Sequence, residues 1–395
     1  MTGRREVWIT GVGLLTCLGD GLEANWNHLE RGDPPPYDDK TFAPYIVHPL
    51  PPINFDKQIP KKSDQRQMEL WQRIGVYAAG LALADAGIAG KPDLLDGTDM
   101  IVAAAGGERD VPADSAILTG MRKVAERGAF LNERLMSDLR PTLFLAQLPN
   151  LLAGNIAIVH GVVGSSRTFL GEEAAGVDAV RIAQARIAAG QSELTLVGGA
   201  YNATRWDVLL VWEQSGAALK GPFAPVWDRG PHGGMALGNM GAFLVLESRE
   251  HAEKRGARAH ARISAVYSDR NRRQPGQIEG TLHGQWEAMA KDIDRSRAAV
   301  ISGACGLQPA TAAEQTVLQE IGLPVRNAGT YIGHGLEAQF EANIGIACAA
   351  LEHGKLFAPA GTGDEGSSPP DISQIVVTSV GNWRGEGLAL IERVK

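Results

Sequence analysis

The sequence predicts an α/β protein in which two successive sets of alternating strands and helices pack together. Short apolar runs typical of buried strands alternate along the chain with segments of helical periodicity. A second series starts near residue 255, where a predicted strand over 261–266 mirrors the opening strand. A length of 395 residues favours two domains or one duplicated fold. We therefore predict two halves, residues 1–254 and 255–395.

The elements of the first half are predicted from apolar periodicity and turn residues. The proline-rich segment 33–60 is expected to be irregular, because proline fixes φ and lacks a backbone donor. Residues 63–86 carry apolar side chains at intervals of three and four, which predicts one long helix that ends at Gly87. The remaining predictions are strands over 7–10, 100–105, 168–170, 194–197 and 242–247, and helices over 22–31, 143–159 and 174–189.

The second half is predicted to continue the alternation, although we find no clear residue-level repeat between the halves. Its predicted strands are 261–266, 299–302, 374–378 and 388–392, its predicted helices are 312–320 and 336–353, and 359–370 is predicted to be a loop.

Composition argues against several classes of partner. The formal net charge of −7 and the pI of about 5.8 argue against binding of nucleic acid or of an anionic membrane. No segment approaches the roughly 18 uninterrupted apolar residues that a transmembrane helix needs. Cys17, Cys305 and Cys348 have neither metal-binding spacing nor an even disulfide count. We expect a cytoplasmic protein with no metal site and no cofactor.

The segment 161–190 carries the most information about function. It is predicted to form a strand, a sharp turn and a helix, the layout that presents a nucleophile at the start of a helix. The residue at that turn is Glu173, and a carboxylate cannot form the thioester that such a layout serves. The pattern indicates an acyl-transfer scaffold whose central chemistry has been removed or replaced.

Five ordered segments resemble the β-ketoacyl-acyl-carrier-protein synthases, the condensing enzymes of fatty-acid and polyketide synthesis. The segments are REVWITGVGLLTCLGDG, KKSDQRQMELWQRIGVYAAGLALADAGI, GQSELTLVGGA, GAFLVLESREHAEKRGARAHARISAV and IGHGLEAQFEANIGIACAALEHG. The resemblance runs nearly from end to end. It implies a thiolase-like fold, duplicated and arranged in five layers, αβαβα, and a dimer with one continuous sheet across its interface.

The resemblance also assigns residues to the family's catalytic positions. Glu173 stands where the family has its nucleophilic cysteine, and Gly303 stands where it has its first histidine. The second histidine is retained as His334, whereas a lysine five residues before it is replaced by Gly329. The family's glycine-rich turn, which helps form the oxyanion hole, here reads Gly381, Asn382, Trp383, Arg384, Gly385 and Glu386.

Two further groups of residues are assigned by this resemblance. The loop 106–114 corresponds to the family region that shapes the acyl tunnel at the dimer interface. Its Glu108 and Arg109 are expected either to contact substrate there or to form ion pairs across the interface. Cys305 follows the position of the lost histidine, and it is either a replacement nucleophile or a small buried residue.

The chemistry of Glu173 has three interpretations. It is a packing residue that the helix dipole favours, or a structural substitute that accepts backbone hydrogen bonds or pairs with a basic group. In the third interpretation it acts as an acid–base residue with His334, for example in decarboxylation of a malonyl group. His334 is accordingly either a structural or a catalytic group.

The combined losses favour a degenerate synthase that resembles the chain-length factors. Such a subunit pairs with an active ketosynthase, completes its dimer sheet and helps to set the depth of its acyl pocket, with an acyl carrier protein and an acyl chain as further partners. One alternative is a residual malonyl-carrier-protein decarboxylase or an atypical acyltransferase that uses Glu173 and His334. Another is a homodimer that binds acyl chains or carrier protein without chemistry.

Overall fold

The chain is described by a computed structural model that covers residues 4–394 except 140–142, 144, 146 and 362–365. Its strands are β1 Val7–Thr16, β2 Gly19–Asp20, β3 Val47–His48, β4 Asp99–Ala104, β5 Ser166–Leu170, β6 Leu194–Tyr201, β7 Leu237–Gly238, β8 Met240–Ser248, β9 Ala261–Asp269, β10 Ala298–Ser302, β11 Val325–Asn327, β12 Gln374–Val380 and β13 Glu386–Glu392.

The helices are named in the same way, in chain order. They are α1 Leu22–Arg31, α2 Lys62–Gln67, α3 Leu70–Asp85, α4 Pro92–Leu95, α5 Val111–Met121, α6 Arg127–Asp138, α7 Leu151–His160, α8 Glu173–Ala188, α9 Trp206–Gln214, α10 Arg249–Arg255, α11 Gln277–Ala290, α12 Ala310–Ile321, α13 Gly329–Ile332 and α14 Gln339–His353. Single 3₁₀ turns occupy Phe55–Lys57, Val226–Asp228 and Leu336–Ala338.

The main sheet is built from two sets of strands with the same order. One set runs β5-β4-β6-β8-β1, and the other runs β11-β10-β12-β13-β9. In each set the first two pairings are parallel and the last two are antiparallel. The sets meet where β1 pairs with β9, through Trp8 opposite Arg262 and Ile9 opposite Ala261. The boundary between residues 254 and 255 stays a prediction.

Helices fill three layers around these two sets of strands. The central helices α8 and α14 contact strands of both sets, α3 packs on β1, β6 and β8, and α11 and α12 pack on β9, β12 and β13. Each helical layer has its own apolar cluster, represented by Val177 in the centre, Tyr77 on one outer side and Leu282 on the other. Burial on both faces explains the continuous apolar runs in strands such as β4. The expected five-layer thiolase-like fold is confirmed.

The long helix predicted over 63–86 is two helices. Met68 has an extended conformation, with φ −97° and ψ 136°, and it ends α2. Glu69 then begins α3 with a capping box, in which its side chain and that of Gln72 each accept from the other's backbone N–H. A local capping signal therefore divides a segment whose apolar periodicity runs through the break.

Smaller differences between the predicted and the observed elements also come from local hydrogen bonding. In the segment predicted to be irregular, β3 pairs with β7. The predicted helix 336–353 begins with the 3₁₀ turn, and α5 already starts inside the predicted loop 106–114, where the Asp110 side chain accepts from Ala113 N–H. The predicted helix 143–159 and loop 359–370 lie partly outside the described residues, and α7 accounts for the end of that helix. None of the described helices is long and apolar enough to cross a membrane.

Candidate active site

Glu173 is placed at the start of α8 by the turn that follows β5. Gly171 has φ 149°, a conformation that glycine adopts far more readily than other residues. The chain thereby reverses direction within two residues and begins α8 at Glu173, whose exposed fraction is 2%. The acidic side chain lies at the positive end of the helix dipole, which stabilises a negative charge there. The sequence-predicted strand–turn–helix layout is present, with a carboxylate buried at its centre.

His334 lies against Glu173. Its Nε2 atom is 3.1 Å from Glu173 Oε1, and its exposed fraction is also 2%. The backbone of His334 is fixed by β7 and the residue before it. His334 N–H donates to Ala236 O at 2.8 Å, and His334 O accepts from Gly238 N–H at 3.0 Å. Glu173 Oε2 and His334 Nδ1 have no hydrogen-bond partner among the described residues. The arrangement is a buried acid–base pair with one free polar atom on each side.

Gly303 follows β10, and its surroundings leave no space for a side chain. Its N–H donates to Thr378 Oγ1 at 2.9 Å, which holds it against β12. A Cβ atom at this position would lie only 2.4 Å from the carbonyl oxygen of Thr378. Because that neighbour is backbone, it cannot move aside as a flexible side chain would. The position assigned to the family's first histidine is therefore sterically closed.

Gly329 borders the same region. A Cβ atom there would lie 3.1 Å from Asn327 Oδ1 and 3.4 Å from Ala304 O. Asn327 Nδ2 donates to Ala304 O at 2.8 Å, and its Oδ1 accepts from Thr330 N–H at 3.1 Å. The amide of Asn327 thus connects the two segments in which the lysine and the first histidine are missing.

The turn 381–385 covers the start of α8. Gly381 lies beside the pair, since a Cβ atom there would be 3.3 Å from Glu173 Oε2, and a Cβ at Gly385 would be 2.7 Å from that of Ala174. At the tip of the turn, Trp383 is 45% exposed and stacks on Trp212 with 5.0 Å between ring centroids. Gly381 is therefore brought to the Glu173–His334 pair, whereas Asn382 and Trp383 lie farther along the turn.

Glu108 and Arg109 make contacts of a different kind. Glu108 is buried, and its Oε1 accepts from Trp71 N–H at 2.9 Å and from Asn202 Nδ2 at 2.8 Å, so it fixes the first turn of α3. Arg109 forms a bidentate ion pair with Asp114 in the first turn of α5, at 2.6 and 3.0 Å. No hydrogen bond or ion pair within the described residues joins either side chain to Glu173 or His334. Their expected contact with substrate or with a partner subunit stays a prediction.

Two buried acids next to the pair were missed from the sequence. Glu337 and Glu341 are almost fully buried, and Glu337 Oε2 and both carboxylate oxygens of Glu341 have no partner among the described residues. Burial raises the pKa of Glu341 to about 8. Burial, together with the nearby Glu173 carboxylate, raises the pKa of Glu337 well above its usual range. The sequence offered one signal, two acids four residues apart among the small and apolar residues that follow His334.

Glu341 also explains a glycine in α8. A Cβ atom at Gly176 would lie 2.7 Å from Glu341 Oε2 and 2.6 Å from Glu337 O. The missing side chain therefore lets the acid-bearing segment approach the first turn of α8. Carboxyl groups of Glu173, Glu337 and Glu341, with the imidazole of His334, form what we call the acid cluster.

Cys305 lacks the properties of a replacement nucleophile. It is 2% exposed, and burial, reinforced by the Glu173 carboxylate, raises the pKa of its thiol to about 12. A cysteine needs a substantial thiolate fraction to attack a substrate. This favours the interpretation as a small buried residue. Within the described ranges, no three His, Cys, Asp or Glu side chains are arranged to hold a metal ion.

Comparison with known proteins gives the family of this chain. The family described as "Beta-ketoacyl synthase, N-terminal domain" matches residues 4–252. The chain is 24% identical over 270 residues to 3-oxoacyl-[acyl-carrier-protein] synthase 2 of Vibrio cholerae serotype O1, a match that covers 66% of this chain and 62% of that enzyme. It is also 24% identical over 375 residues to the oxytetracycline polyketide putative beta-ketoacyl synthase 1 of Streptomyces rimosus, covering 89% and 86% of the two chains.

The fold agrees with a solved structure of related proteins. The structure of the ishigamide ketosynthase/chain length factor superimposes with a TM-score of 0.81 at 19% sequence identity, and the match covers 100% of both chains. At that identity the likeness establishes the fold. The family match over more than half of the chain shows that this protein belongs to the β-ketoacyl synthase family.

Proposed function

We propose that this protein is a condensation-incompetent partner subunit of an active β-ketoacyl-carrier-protein synthase, similar in role to a chain-length factor. The observation that carries the proposal is the buried Glu173 at the position of the nucleophile, paired with His334 at 3.1 Å. The acid cluster occupies the place where a synthase needs a thiolate.

The chemistry of condensation supports this proposal. An acyl chain must be held on a nucleophile, and donors must stabilise the charge that develops when the second unit reacts. Glu173 cannot hold a thioester, and Gly303 has no space for a histidine. Loss of one oxyanion donor alone lowers a rate by roughly 10²–10³. Because the missing groups would act in one mechanism, the chain cannot be expected to condense acyl units by itself.

An edge strand supports the existence of a partner. β5 lies at the end of its set and pairs only with β4 among the described strands. Apolar side chains near this edge are exposed, with Leu170 at 67%, Ile158 at 72% and Val163 at 60%. An unpaired edge beside exposed apolar residues is a surface that another subunit can cover. A dimer with a continuous sheet, as the family resemblance implies, would pair β5 with its counterpart.

The other partners follow from the family. The Vibrio cholerae relative is named for an acyl-carrier protein, and we propose such a carrier and its acyl chain as partners of the assembled dimer. The cytoplasmic location stays a prediction.

Co-expression with a synthase that has the complete Cys-His-His set tests this proposal. We expect a one-to-one heterodimer on affinity purification and light scattering. Leu170→Asp places a charge on the β5 edge and should abolish co-purification, whereas Leu210→Asp, at an exposed leucine of α9, should not. Stable homodimers that never exchange with the synthase would contradict the heterodimer and favour the homodimeric alternative.

The acid–base pair favours one second candidate, a residual malonyl decarboxylase. His334 and Glu173 are within hydrogen-bond distance, as a proton-transfer pair requires. Incubation of the chain with malonyl carrier protein should then release carbon dioxide faster than a Glu173→Ala variant does. Equal release from both proteins would exclude this candidate.

A further inference from the structure

The strands that end the two sets, β1 and β9, differ in how their free edges are covered. The edge of β1 is closed by side chains and by β2. Val12 N–H donates to Asp85 Oδ2 at 2.8 Å. Leu14 O accepts from Gly21 N–H at 2.8 Å, and β2 pairs with the end of the strand. Every residue of β1 is accordingly buried.

The corresponding edge of β9 has no such cover. From Ile263 to Asp269 this strand pairs only with β13 among the described strands. Within the described part of the chain, no hydrogen bond joins a backbone group of residues 264–268 to any other element. Ser264 and Asp269 are exposed, and the residues between them are half-buried. An uncovered edge of this kind presents N–H and C=O groups with which an extended segment can pair.

A groove of about 500 Å³ lies beside this edge, between β9 and α11. Gly280 and Gly284 form part of its α11 wall, and an added Cβ at either position would meet nothing within 4 Å. Tyr267 and Asp269 line the wall formed by β9. Because the two glycines leave the groove open, a side chain from an added strand has room to lie in it.

The groove also contains a buried acceptor that has no donor. Gln285 lines the groove and is only 7% exposed. Its Nε2 donates to Glu386 O at 3.0 Å, which fixes the orientation of the amide. Its Oε1 has no hydrogen-bond partner among the described residues. A buried acceptor left unpaired is costly, so the groove is suited to a ligand that brings a hydrogen-bond donor.

The charge of the groove favours a cationic donor. Asp269 is the charged residue among the described residues that line it, and it forms no ion pair within the described ranges. The nearby basic side chains are already neutralised, since Arg270 pairs with Asp178 and Arg273 pairs with Glu386. A basic side chain placed in the groove would therefore meet an unpaired carboxylate.

We propose that the free edge of β9 is a strand-addition site for an extended segment of another protein, and that this segment places a basic side chain in the groove. The backbone of the segment pairs with β9, and the aliphatic part of the side chain lies over Gly280 and Gly284. Its cationic group donates to Gln285 Oε1 and faces the Asp269 carboxylate. The inference goes beyond the proposed function, since neither the edge nor the groove includes a residue of the acid cluster.

A basic peptide that favours the extended conformation tests the proposal. The probe is fluorescent acetyl-Thr-Val-Thr-Arg-Thr-Val-Thr-amide, because valine and threonine favour strands. We expect saturable binding in fluorescence anisotropy, and about tenfold weaker binding when glutamate replaces the arginine, because a charge-assisted hydrogen bond is lost. Acetyl-arginine methylamide, which has the side chain without a strand, should not bind at concentrations that saturate the peptide. Equal affinity for the two peptides, or equal binding of the methylamide, would overturn the proposal.

Variants that alter the groove locate the binding. Gly284→Leu places a side chain in the open groove and should weaken peptide binding about tenfold, as should Asp269→Asn, which removes the charge. Gly128→Leu, at a second open glycine near the start of α6, is the matched control and should leave binding unchanged. Wild-type affinity in Gly284→Leu would refute the groove as the site.

Strand pairing has a signature of its own. Only alternate N–H groups of an added edge strand face its neighbour, so methylation of one alternate set of peptide nitrogens should abolish binding and methylation of the other set should not. Peptide binding should also slow hydrogen exchange in residues 263–269 and leave β1 unchanged. Equal effects of the two methylated sets would contradict strand addition. A dimer of this chain that Gly284→Leu dissociates would assign the edge to a second copy and would likewise overturn the proposal.

Discussion

Two clusters of acids and histidine in this protein, one with a buried histidine and solvent-exposed acids and one buried throughout, differ in how completely their polar atoms are paired. At the junction of the two sets of strands, both ring nitrogens of His260 pair with carboxylates, Nε2 with Asp85 Oδ2 at 2.7 Å and Nδ1 with Glu352 Oε1 at 2.8 Å. Asp85 Oδ2 also accepts from Val12 N–H at 2.8 Å. We call this set the junction cluster. It joins the ends of α3 and α14 to the beginning of β9.

The acid cluster has the opposite character. His334 uses one ring nitrogen, and Glu173, Glu337 and Glu341 together leave four carboxylate oxygens without a partner among the described residues. An unpaired buried polar atom costs about 1–3 kcal/mol. We therefore expect the paired junction cluster to stabilise the fold. The unpaired acid cluster lies instead at the position where the family has its catalytic residues.

Removal of the junction histidine has the largest expected effect. His260→Ala removes both charge-assisted hydrogen bonds of the buried imidazole, while Glu352 keeps its ion pair with Arg258 at 2.6 Å, and we expect the free energy of unfolding to fall by about 2–4 kcal/mol in urea titrations. His283→Ala is the control, since His283 pairs with Glu320 at the surface and should cost less than about 0.5 kcal/mol. Similar losses for both variants would show that the junction cluster is not a stabilising unit.

The second-largest expected effect is at Gly303, the sterically closed position. Gly303→Ala forces a Cβ to within 2.4 Å of a backbone oxygen, and we expect a loss of about 1–3 kcal/mol in the free energy of unfolding. Gly284→Ala, in an open position on α11, is expected instead to gain up to about 1 kcal/mol from its higher helix propensity. If Gly303→Ala were neutral, the backbone could move there and a histidine could be accommodated.

Replacing a glutamate by glutamine should change the free energy of unfolding in opposite directions in the two clusters. The pKa of Glu341 is raised from 4.5 to about 8, so its contribution is fully present below pH 4.5 and is lost as the pH rises toward 8. Glu341→Gln cannot ionise, and it should raise the free energy of unfolding by about 1–2 kcal/mol near pH 8.5 relative to the wild type, with no gain near pH 5. Stability curves from urea titrations across this range measure the difference.

The junction cluster supplies the control and a second pH dependence. Burial lowers the pKa of His260, but its hydrogen bonds to the Asp85 and Glu352 carboxylates outweigh burial and raise the pKa from 6.5 to about 9. The stabilising contribution of His260 is therefore present below pH 6.5 and lost as the pH rises toward 9. Glu352→Gln should therefore destabilise the protein near neutral pH. A parallel pH profile for Glu341→Gln and the wild type would refute the assignment of a protonated Glu341.

The smallest expected effect is on activity. Glu173→Cys restores the nucleophile, but Gly303, Gly329 and the altered turn remain, and we expect no condensation above background with acyl and malonyl carrier proteins. Robust synthase activity in this single variant, measured beside the cysteine-containing partner as a positive control, would show that one residue alone had removed the chemistry.

Part of the fold and of the site was predicted from local signals in the sequence. Alternating apolar runs predicted the α/β class and the turn at Gly171 pointed to Glu173, whereas the five layers and the position of His334 were implied by the resemblance to the β-ketoacyl-acyl-carrier-protein synthases. Glu337 and Glu341 were missed because charged residues normally face solvent, and only the packing of α14 and of the preceding 3₁₀ turn against α8 buries them. The contacts of Arg273 join segments more than 100 residues apart, which no local pattern encodes.

The crowded backbone around Gly303 makes the first histidine of the family easier to lose than to regain. A synthase can lose its first histidine in one substitution, but regaining it here requires β10 and β12 to separate before the new side chain fits. Reversal therefore needs several changes at once, each without benefit until the last is made. If this protein is the partner subunit proposed above, the closed position at Gly303 would hinder its return to catalysis.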